Sequence, residues 1–369
     1  MKTVAVVGAG ITGCYTAYFL AKAGWQVELI DRTGVGSQAT GSNPGGLNPL
    51  HGPGIPGVMS ELALRSFALH ESLHGEIAES SGIDPQCRVV SRLEIGMDES
   101  EVAAMQKSMD LYNATPGFSA SWLEPEEILQ KEPRLASGAV GGVLMEGNRM
   151  VNSPEYARAV AKSAQLLGAN IHRAEVTGLK TSSSEVTHVL TSDGEIACDA
   201  VVMATGAWFD KASEWLDANL PVRPLKGQLL RAKLSGPELP FHITRGLIGI
   251  YQVADGSLWL GGTLEDCGFD GETTQAGREL ILQGVSGIFP AIGELEILEQ
   301  LTGFRPATPD KMPIVGPVPN WNNAFVASGG GPKGMLLSAG LAEVVSSYVL
   351  EQELDYSVDH FLPARFSGN

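Results

Sequence analysis

One stretch at the amino end restricts the fold more than any other. Lys2 to Gly8 is a continuous apolar run closed by glycine, the pattern of a strand buried on both faces. Gly8-Ala9-Gly10-Ile11-Thr12-Gly13 follows, and Cys14 to Ala23 then repeats apolar residues at helical spacing until Gly24 stops it. Trp25 to Ile30 reads as a second strand, ending in Asp31-Arg32. The three glycines of such a unit have separate tasks. Gly8 permits a tight turn, Gly10 lets the backbone approach a pyrophosphate, and Gly13 lets the helix lie against the sheet. The helix start turns N–H groups and its positive dipole end toward the phosphates. Asp31, 18 residues beyond Gly13, is placed to accept the hydroxyls of a ribose. The stretch therefore predicts a dinucleotide-binding α/β unit.

At 369 residues the chain has room for a second domain. Its 43% hydrophobic and 18% charged residues fit a folded globular protein, and 45 glycines suit a backbone that meets a cofactor closely. The net charge of −17 and the lack of a Lys/Arg run argue against nucleic acid or anionic lipid as a partner. Cys14, Cys87, Cys198 and Cys267 show neither a CxxC pair nor zinc spacing, so free buried thiols in a reducing compartment are expected. The first apolar run passes straight into the glycine turn, too early for a signal peptide, and no window of about 18 apolar residues would span a membrane. The expected location is cytoplasmic, and no metal site is expected.

Ser60 to Ser81 has the spacing of a long amphipathic helix, with Leu62, Leu64, Phe67, Leu69 and Leu73 as its core stripe. A helix is expected over Glu99–Leu111, and another from Glu124-Pro125-Glu126-Glu127, whose acids suit a helix start better than catalysis. Ser153 as N-cap and Pro154 at the first position open a helix that runs to Leu167 and is closed by Gly168. Asn170–His172 reads as a strand. Val176–Lys180, Val186–Thr191 and Glu195–Cys198 read as a small antiparallel ribbon turned at Ser192-Asp193-Gly194. After Pro221 the pattern becomes β, with Leu247–Val253 and Ser257–Gly262 paired across Asp255-Gly256. Thr273–Ile288 reads as helix. Ala324–Ala327, Ser328–Gly334 and Met335–Leu350 read as strand, glycine turn and closing helix, a second place where helix N–H groups face a ligand.

Three segments carry a resemblance to a known family. Ser37-Gln38-Ala39-Thr40-Gly41-Ser42-Asn43-Pro44-Gly45-Gly46 resembles the second flavin-contact loop of the D-amino acid oxidase and glycine oxidase superfamily. Asp199 to Trp208, a buried strand ending in Ala204-Thr205-Gly206, resembles the strand that closes over FAD there. Gly303-Phe304-Arg305-Pro306-Ala307-Thr308-Pro309-Asp310 to Gly316 follows the family's Gly-x-Arg-Pro-x-Thr-Pro-Asp-x-x-Pro-x-x-Gly segment. Together they resemble the FAD-dependent amine oxidases: glycine oxidase, D-amino acid oxidase or dehydrogenase, and sarcosine oxidase.

The resemblance implies a Rossmann-like FAD-binding fold, α/β in class, with a discontinuous antiparallel β-sheet substrate domain. The FAD domain would comprise residues 1–85, 146–220 and 300–369, and the substrate domain 86–145 and 221–299. The flavin would be noncovalent, because Gly303 stands where sarcosine-oxidase-like members carry a cysteine. Besides the fingerprint (Gly8, Gly10, Ile11, Thr12, Gly13, Asp31, Arg32), FAD would meet Ala39, Thr40, Gly45, Gly46 and Leu47. Val176 would lie at the adenine, and Ala204, Thr205, Gly206 and Trp208 would follow, with Trp208 as wall without chemistry. Gly331, Pro332, Lys333, Gly334 and Met335 would complete the site.

Arg305 would grip the substrate carboxylate, a task that suits a planar fork charged at any working pH. Tyr251 would lie on a hairpin lining the substrate cavity, pointing inward or outward according to register. The Pro224–Leu230 segment resembles a strand at the edge of that domain. In one respect the chain departs from glycine oxidases: Pro332 stands in place of an Arg, with Lys333 beside it either to substitute as a point charge near flavin or substrate or to face solvent, so Lys333 joins Arg305 and Tyr251 as a catalytic candidate. The implied reaction takes a hydride from the α-carbon of glycine, an N-alkyl glycine or a small D-amino acid, with O2 or a quinone or protein as electron acceptor. A flavin 2-hydroxy-acid dehydrogenase, a tRNA-modifying FAD oxidase and an electron-shuttling flavoprotein subunit are the other readings. Oligomeric state stays open.

Overall fold

The computed structural model describes residues 1–367. β1 (Thr3–Val7), α1 (Ile11–Lys22) and β2 (Gln26–Ile30) form where the apolar spacing places them. They belong to a six-stranded sheet in the order Ile314–Pro317, Ala324–Ser328, Ala200–Met203, β1, β2, Asn170–His172. All its pairings are parallel except that of the edge strand Ile314–Pro317. One face packs on α1, α2 (Ser60–Ser81) and the helices Ser153–Leu166 and Gly334–Val349. The other packs on the three-stranded ribbon within 176–197 and the short helix Asp210–Trp215. Cover on both faces is why the strands read as unbroken apolar runs.

A nine-stranded sheet stands beside it, running from Leu295–Ala307 through Arg223–Leu234, Leu258–Gly261, Ile248–Gln252, His242–Arg245, Arg88–Gly96 and Gly141–Met150 to Gly46–Leu47, with Ser119–Leu123 also paired to Gly141–Met150. Its pairings are antiparallel apart from His242–Arg245 against Arg88–Gly96. Helix Gln275–Ile288 covers its outer face with Ile281, Val285 and Ile288. The α/β class and the mainly antiparallel second sheet agree with expectation.

Several local expectations change. In α2, Leu64 is 37% exposed, and the buried face is Leu62, Ala63, Ser66, Phe67, His70 and Ile77. A stripe of leucines alone misplaces the face, because Leu64 stands two positions, about 200°, round from Leu62. The cap of helix Ser153–Leu166 is Asn152, which accepts from the Glu155 amide at 3.3 Å, whereas Ser153 Oγ donates to Asn43 Oδ1 at 2.9 Å. Glu124 caps its short helix through a capping box with Glu127, the non-catalytic role expected. Strand Arg223–Leu234 lies one place in from the sheet edge, which is Leu295–Ala307. Cys14 and Cys198 are buried, but Cys267 is exposed and Cys87 partly so.

A buried polar knot ties the helical layer together. His70 on α2 bonds Leu336 O through Nε2 at 2.9 Å, and its Nδ1 lies 3.1 Å from the Tyr156 hydroxyl, which also bonds Tyr15 of α1. Nε2 must carry the proton to serve a carbonyl, leaving Nδ1 as acceptor. Burial lowers the His70 pKa from 6.5 to about 4. The folded state thus prefers neutral imidazole. This contribution is complete above pH 6.5 and is lost as pH falls toward 4, at about 1.4 kcal/mol per unit. The stability gap between the protein and its His70→Gln variant should therefore narrow across that window in urea titrations. Parallel pH profiles would contradict it.

Candidate active site

A cavity of about 760 Å³ opens where the carboxyl ends of β1 and β2 face the inner side of the nine-stranded sheet. Its geometry starts at the glycine turn. Gly8 has φ +106° and donates its N–H to Ile30 O at 2.7 Å, and a Cβ there would strike the Ala204 carbonyl. A Cβ on Gly13 would strike the carbonyl oxygen of Gly8. Gly10 differs: its nearest neighbour would be Thr40 Oγ1 at 3.6 Å, and it faces the cavity. Two glycines let backbone meet backbone, and the third leaves room.

Asp31 has more to do than the sequence suggested. Its Oδ2 accepts from the Ala9 amide at 2.8 Å, and Oδ1 accepts from the amides of Thr33 and Gly34, each at 2.8 Å. The carboxylate staples the glycine turn to the loop after β2 and still lines the cavity. No side chain caps α1 at Gly10, although Thr40 Oγ1 takes the Ile11 amide at 3.1 Å. Trp208 stacks on Phe269 at 5.0 Å, and the Arg32 guanidinium lies 5.0 Å from its ring centroid. Among the residues expected to meet the dinucleotide, Gly13 and Gly45 alone stand off the cavity wall. Gly45, at φ +89°, instead presses on Val151 O. Both positions are tight because of chain crossings, which a sequence motif does not distinguish from ligand contact.

At the other end Arg305, Tyr251 and Lys333 all line the cavity. Arg305 stands opposite Leu225 in register, and its guanidinium lies over Gly227, where any Cβ would collide with it. Its Nη1 donates to Thr263 O at 3.3 Å, and no acid is among the charges acting on it. Burial pulls its pKa down, so this is a desolvated cation without a counter-charge among the described residues. Tyr251 points inward, its ring resting over Gly249, and burial raises its pKa. Lys333 turns inward, with Nζ donating to Asn48 O at 3.0 Å and its stem passing where a Cβ of Gly52 would be. Burial, with the nearby Arg92 charge, lowers the Lys333 pKa from 10.5 to about 7.

Arg92, His51 and His242 share this end and had no motif to announce them. Arg92 Nε donates to Thr244 Oγ1 at 2.9 Å, and Nη2 lies 3.5 Å from Glu94 Oε2. His242 Nε2 bonds Gln252 O at 3.1 Å, and its ring meets Tyr251 edge-on at 5.5 Å. Burial lowers His242 to about 4; burial, Arg92 and Lys333 lower His51 to about 3. Both are neutral at pH 7. The one available signal was alternation: Leu93 and Ile95 join the apolar core, so Arg92 and Glu94 face away from it.

The residues present fit a flavin dinucleotide. The turn is cut to backbone thickness at Gly8, open at Gly10, and overlain by Thr205, whose buried Oγ1 has no partner among the described residues. The different constraints on Gly10 and Gly13 give a direct check. Gly10→Val should fold and remain soluble yet take up FAD at least 100-fold more weakly, because its side chain enters open cavity. Gly13→Val should lose the fold itself, since backbone cannot yield. Flavin fluorescence titration and thermal melting separate the two, and equal behaviour would refute the distinction.

Comparison with known proteins agrees. The family described as "DAO: FAD dependent oxidoreductase" matches residues 3–348. The bifunctional protein ThiO/ThiG of Trichormus variabilis is 32% identical over 375 residues, covering 99% of this chain, and the chain spans about half, 55%, of that relative's length. Glycine oxidase of Pseudomonas aeruginosa is 29% identical over 357 residues, covering 95% of this chain and 96% of its own. The crystal structure of glycine oxidase from Geobacillus kaustophilus superposes with a TM-score of 0.92 at 27% identity, covering 99% of each chain. Taken with the flavin-shaped turn and the carboxylate-free guanidinium, these matches place the chain in the family of FAD-dependent oxidoreductases that includes glycine oxidase.

Proposed function

We propose that this flavoenzyme removes a hydride from the α-carbon of a small amino acid, giving an imine that hydrolyses to a 2-oxo acid. Glycine, an N-alkyl glycine and a small D-amino acid are the candidate substrates. The observation that carries this reading is Arg305, a buried cation aimed into the cavity with a single carbonyl contact. A desolvated guanidinium without a partner is costly, and a substrate carboxylate would satisfy it through two parallel N–H bonds. Its place over Gly227 supports a fixed orientation of the α-carbon.

Bound FAD supplies the two-electron acceptor. The chain's own residues bind and orient. Leu225, Leu229 and the Tyr251 ring give this end an apolar wall that keeps water from the Arg305 pair and strengthens it. The substrate ammonium must lose a proton before its lone pair can support the leaving hydride. That proton can leave as the amino acid binds, so the step requires no side-chain base. Gly303 supports noncovalent flavin: a Cβ there would lie 2.9 Å from Ser42 Cβ, and none of the four cysteines lines the cavity among the described residues. Part of the same proposal is the division into an FAD unit (1–85, 146–220, 300–369) and a substrate unit (86–145, 221–299), supported by the two separate sheets.

His51 and His242 lend weight to a second reading, a 2-hydroxy-acid dehydrogenase, because each offers a neutral imidazole near the carboxylate site. An anaerobic panel of glycine, sarcosine, D-alanine and 2-hydroxyglutarate, read at the flavin absorbance band, separates the two. Peroxide on readmitting oxygen tells oxidase from dehydrogenase. Arg305→Leu should retain yellow flavin but lose about 100-fold or more in kcat/KM, as expected when one partner of a buried charge pair is removed. Arg305→Lys should recover only part, lacking the planar fork. Unchanged reduction by an amino acid in the Leu variant would overturn the assignment.

A further inference from the structure

Charge is unevenly distributed along the cavity. Two acids line it, Asp31 and Glu175, and both sit at the β2 end, where the Ala174 amide bonds Asp31 O at 3.1 Å. At the far end the wall carries Arg92, Arg305 and Lys333 and, among the described residues, no carboxylate; Arg32, Arg149, Lys211 and Lys311 line the cavity elsewhere, Arg149 paired with Glu71. This occurs in a chain of net charge −17. Glu94 approaches Arg92 but is not part of the cavity wall.

The three cations form a connected arc. Arg305 and Tyr251 lie side by side over consecutive glycines, since a Cβ on Gly262 would be 3.9 Å from Arg305 Nη2 and one on Gly261 would be 3.8 Å from the Tyr251 ring. Tyr251 meets His242, which stands opposite Arg92 in register. Arg92 and Lys333 in turn both act on His51. On the function proposed above, one substrate carboxylate takes Arg305. Lys333 retains donors beyond its bond to Asn48 and pairs with no acid among the described residues, whereas Arg92 retains donors beyond Thr244 with Glu94 Oε2 3.5 Å from its Nη2. Two extra cations would repel the ammonium of glycine or alanine and contribute nothing to holding it. Lys333 could be spared this position by turning outward, yet Gly52 leaves the space through which it turns inward.

From this arrangement we infer that the substrate carries a second carboxylate: Arg305 takes one, and Arg92 with Lys333 takes the other, making the site one for an amino dicarboxylic acid. The inference rests on the amino-acid oxidation proposed above and narrows it. Arg92 and Lys333 are then the specificity-determining residues, and a second anion between them also keeps Lys333 protonated.

The test uses the FAD-loaded protein in two measurements. Unreactive malonate and succinate, compared with acetate, are titrated into the oxidised protein while the flavin absorbance shift is read. The dicarboxylates should bind at least tenfold more tightly. Anaerobic reduction is then compared for glycine, D-alanine, D-aspartate, D-glutamate and iminodiacetate, of which at least one dicarboxylate should exceed both monocarboxylates tenfold in kcat/KM. Arg92→Met should cut that ratio at least tenfold and Arg92→Lys should cut it less; Lys333→Met provides the same reading independently. If glycine or D-alanine reduces the flavin as well as any dicarboxylate and acetate binds as tightly as malonate, the second-anion inference falls and amino-acid oxidation stands. If no amino acid reduces the flavin, both fall.

Discussion

The contact on which the rest of the molecule depends is one of backbone against backbone at Gly8. Its Cα faces the Ala204 carbonyl on one side, while its own carbonyl is pressed by Gly13 on the other, with no space for a methyl group in either place. That double approach brings the end of β1, the start of α1 and the strand Ala200–Met203 to one point. Asp31 then fastens the same turn to the loop after β2. Close packing of this kind tolerates no intermediate arrangement, because main-chain atoms cannot change rotamer to relieve a clash. The cavity is the space left in front of this point, so its shape follows from the packing.

The second sheet completes the cavity by a different physical route. Where the first end is defined by thin backbone and exposed amides, the far end is defined by long side chains over glycines: Arg305 over Gly227, Tyr251 over Gly249, and Lys333 past Gly52. Each glycine gives a large neighbour a fixed bed, restricting its rotamers without using a hydrogen bond. The cations so held are poorly solvated, and the histidines among them are kept neutral. A low-dielectric pocket rich in cations favours anionic ligands strongly, because each charge interaction is weakly screened there.

The local rules of chain structure accounted for a large part of the fold. Apolar periodicity located β1, α1, β2 and the full extent of α2 at Ser60–Ser81, because burial on two faces or one stripe leaves a period that survives in the sequence. It failed where several residue types share a buried face, as at Leu64 against Ser66 and His70. It also failed at Asn152, where two adjacent polar residues could each cap a helix and packing against Asn43 decided between them. Arg305 was legible because it sits in a long motif. Arg92, on an ordinary alternating strand, was not, since nothing local says whether a polar face meets water or a cavity.

Sequence alone determined the class of fold, the dinucleotide turn and the presence of one guanidinium suited to a carboxylate, since all three depend on residues close together in the chain. Tertiary structure decided which glycines face the cavity and which only let chains cross, whether Tyr251 and Lys333 point inward, and which further cations join them. The reason is physical: a strand fixes the side on which a residue lies within its own few neighbours, but charge and space at a site are summed over segments hundreds of residues apart. Asn48 and Lys333, 285 positions apart, meet through one hydrogen bond that no local pattern contains.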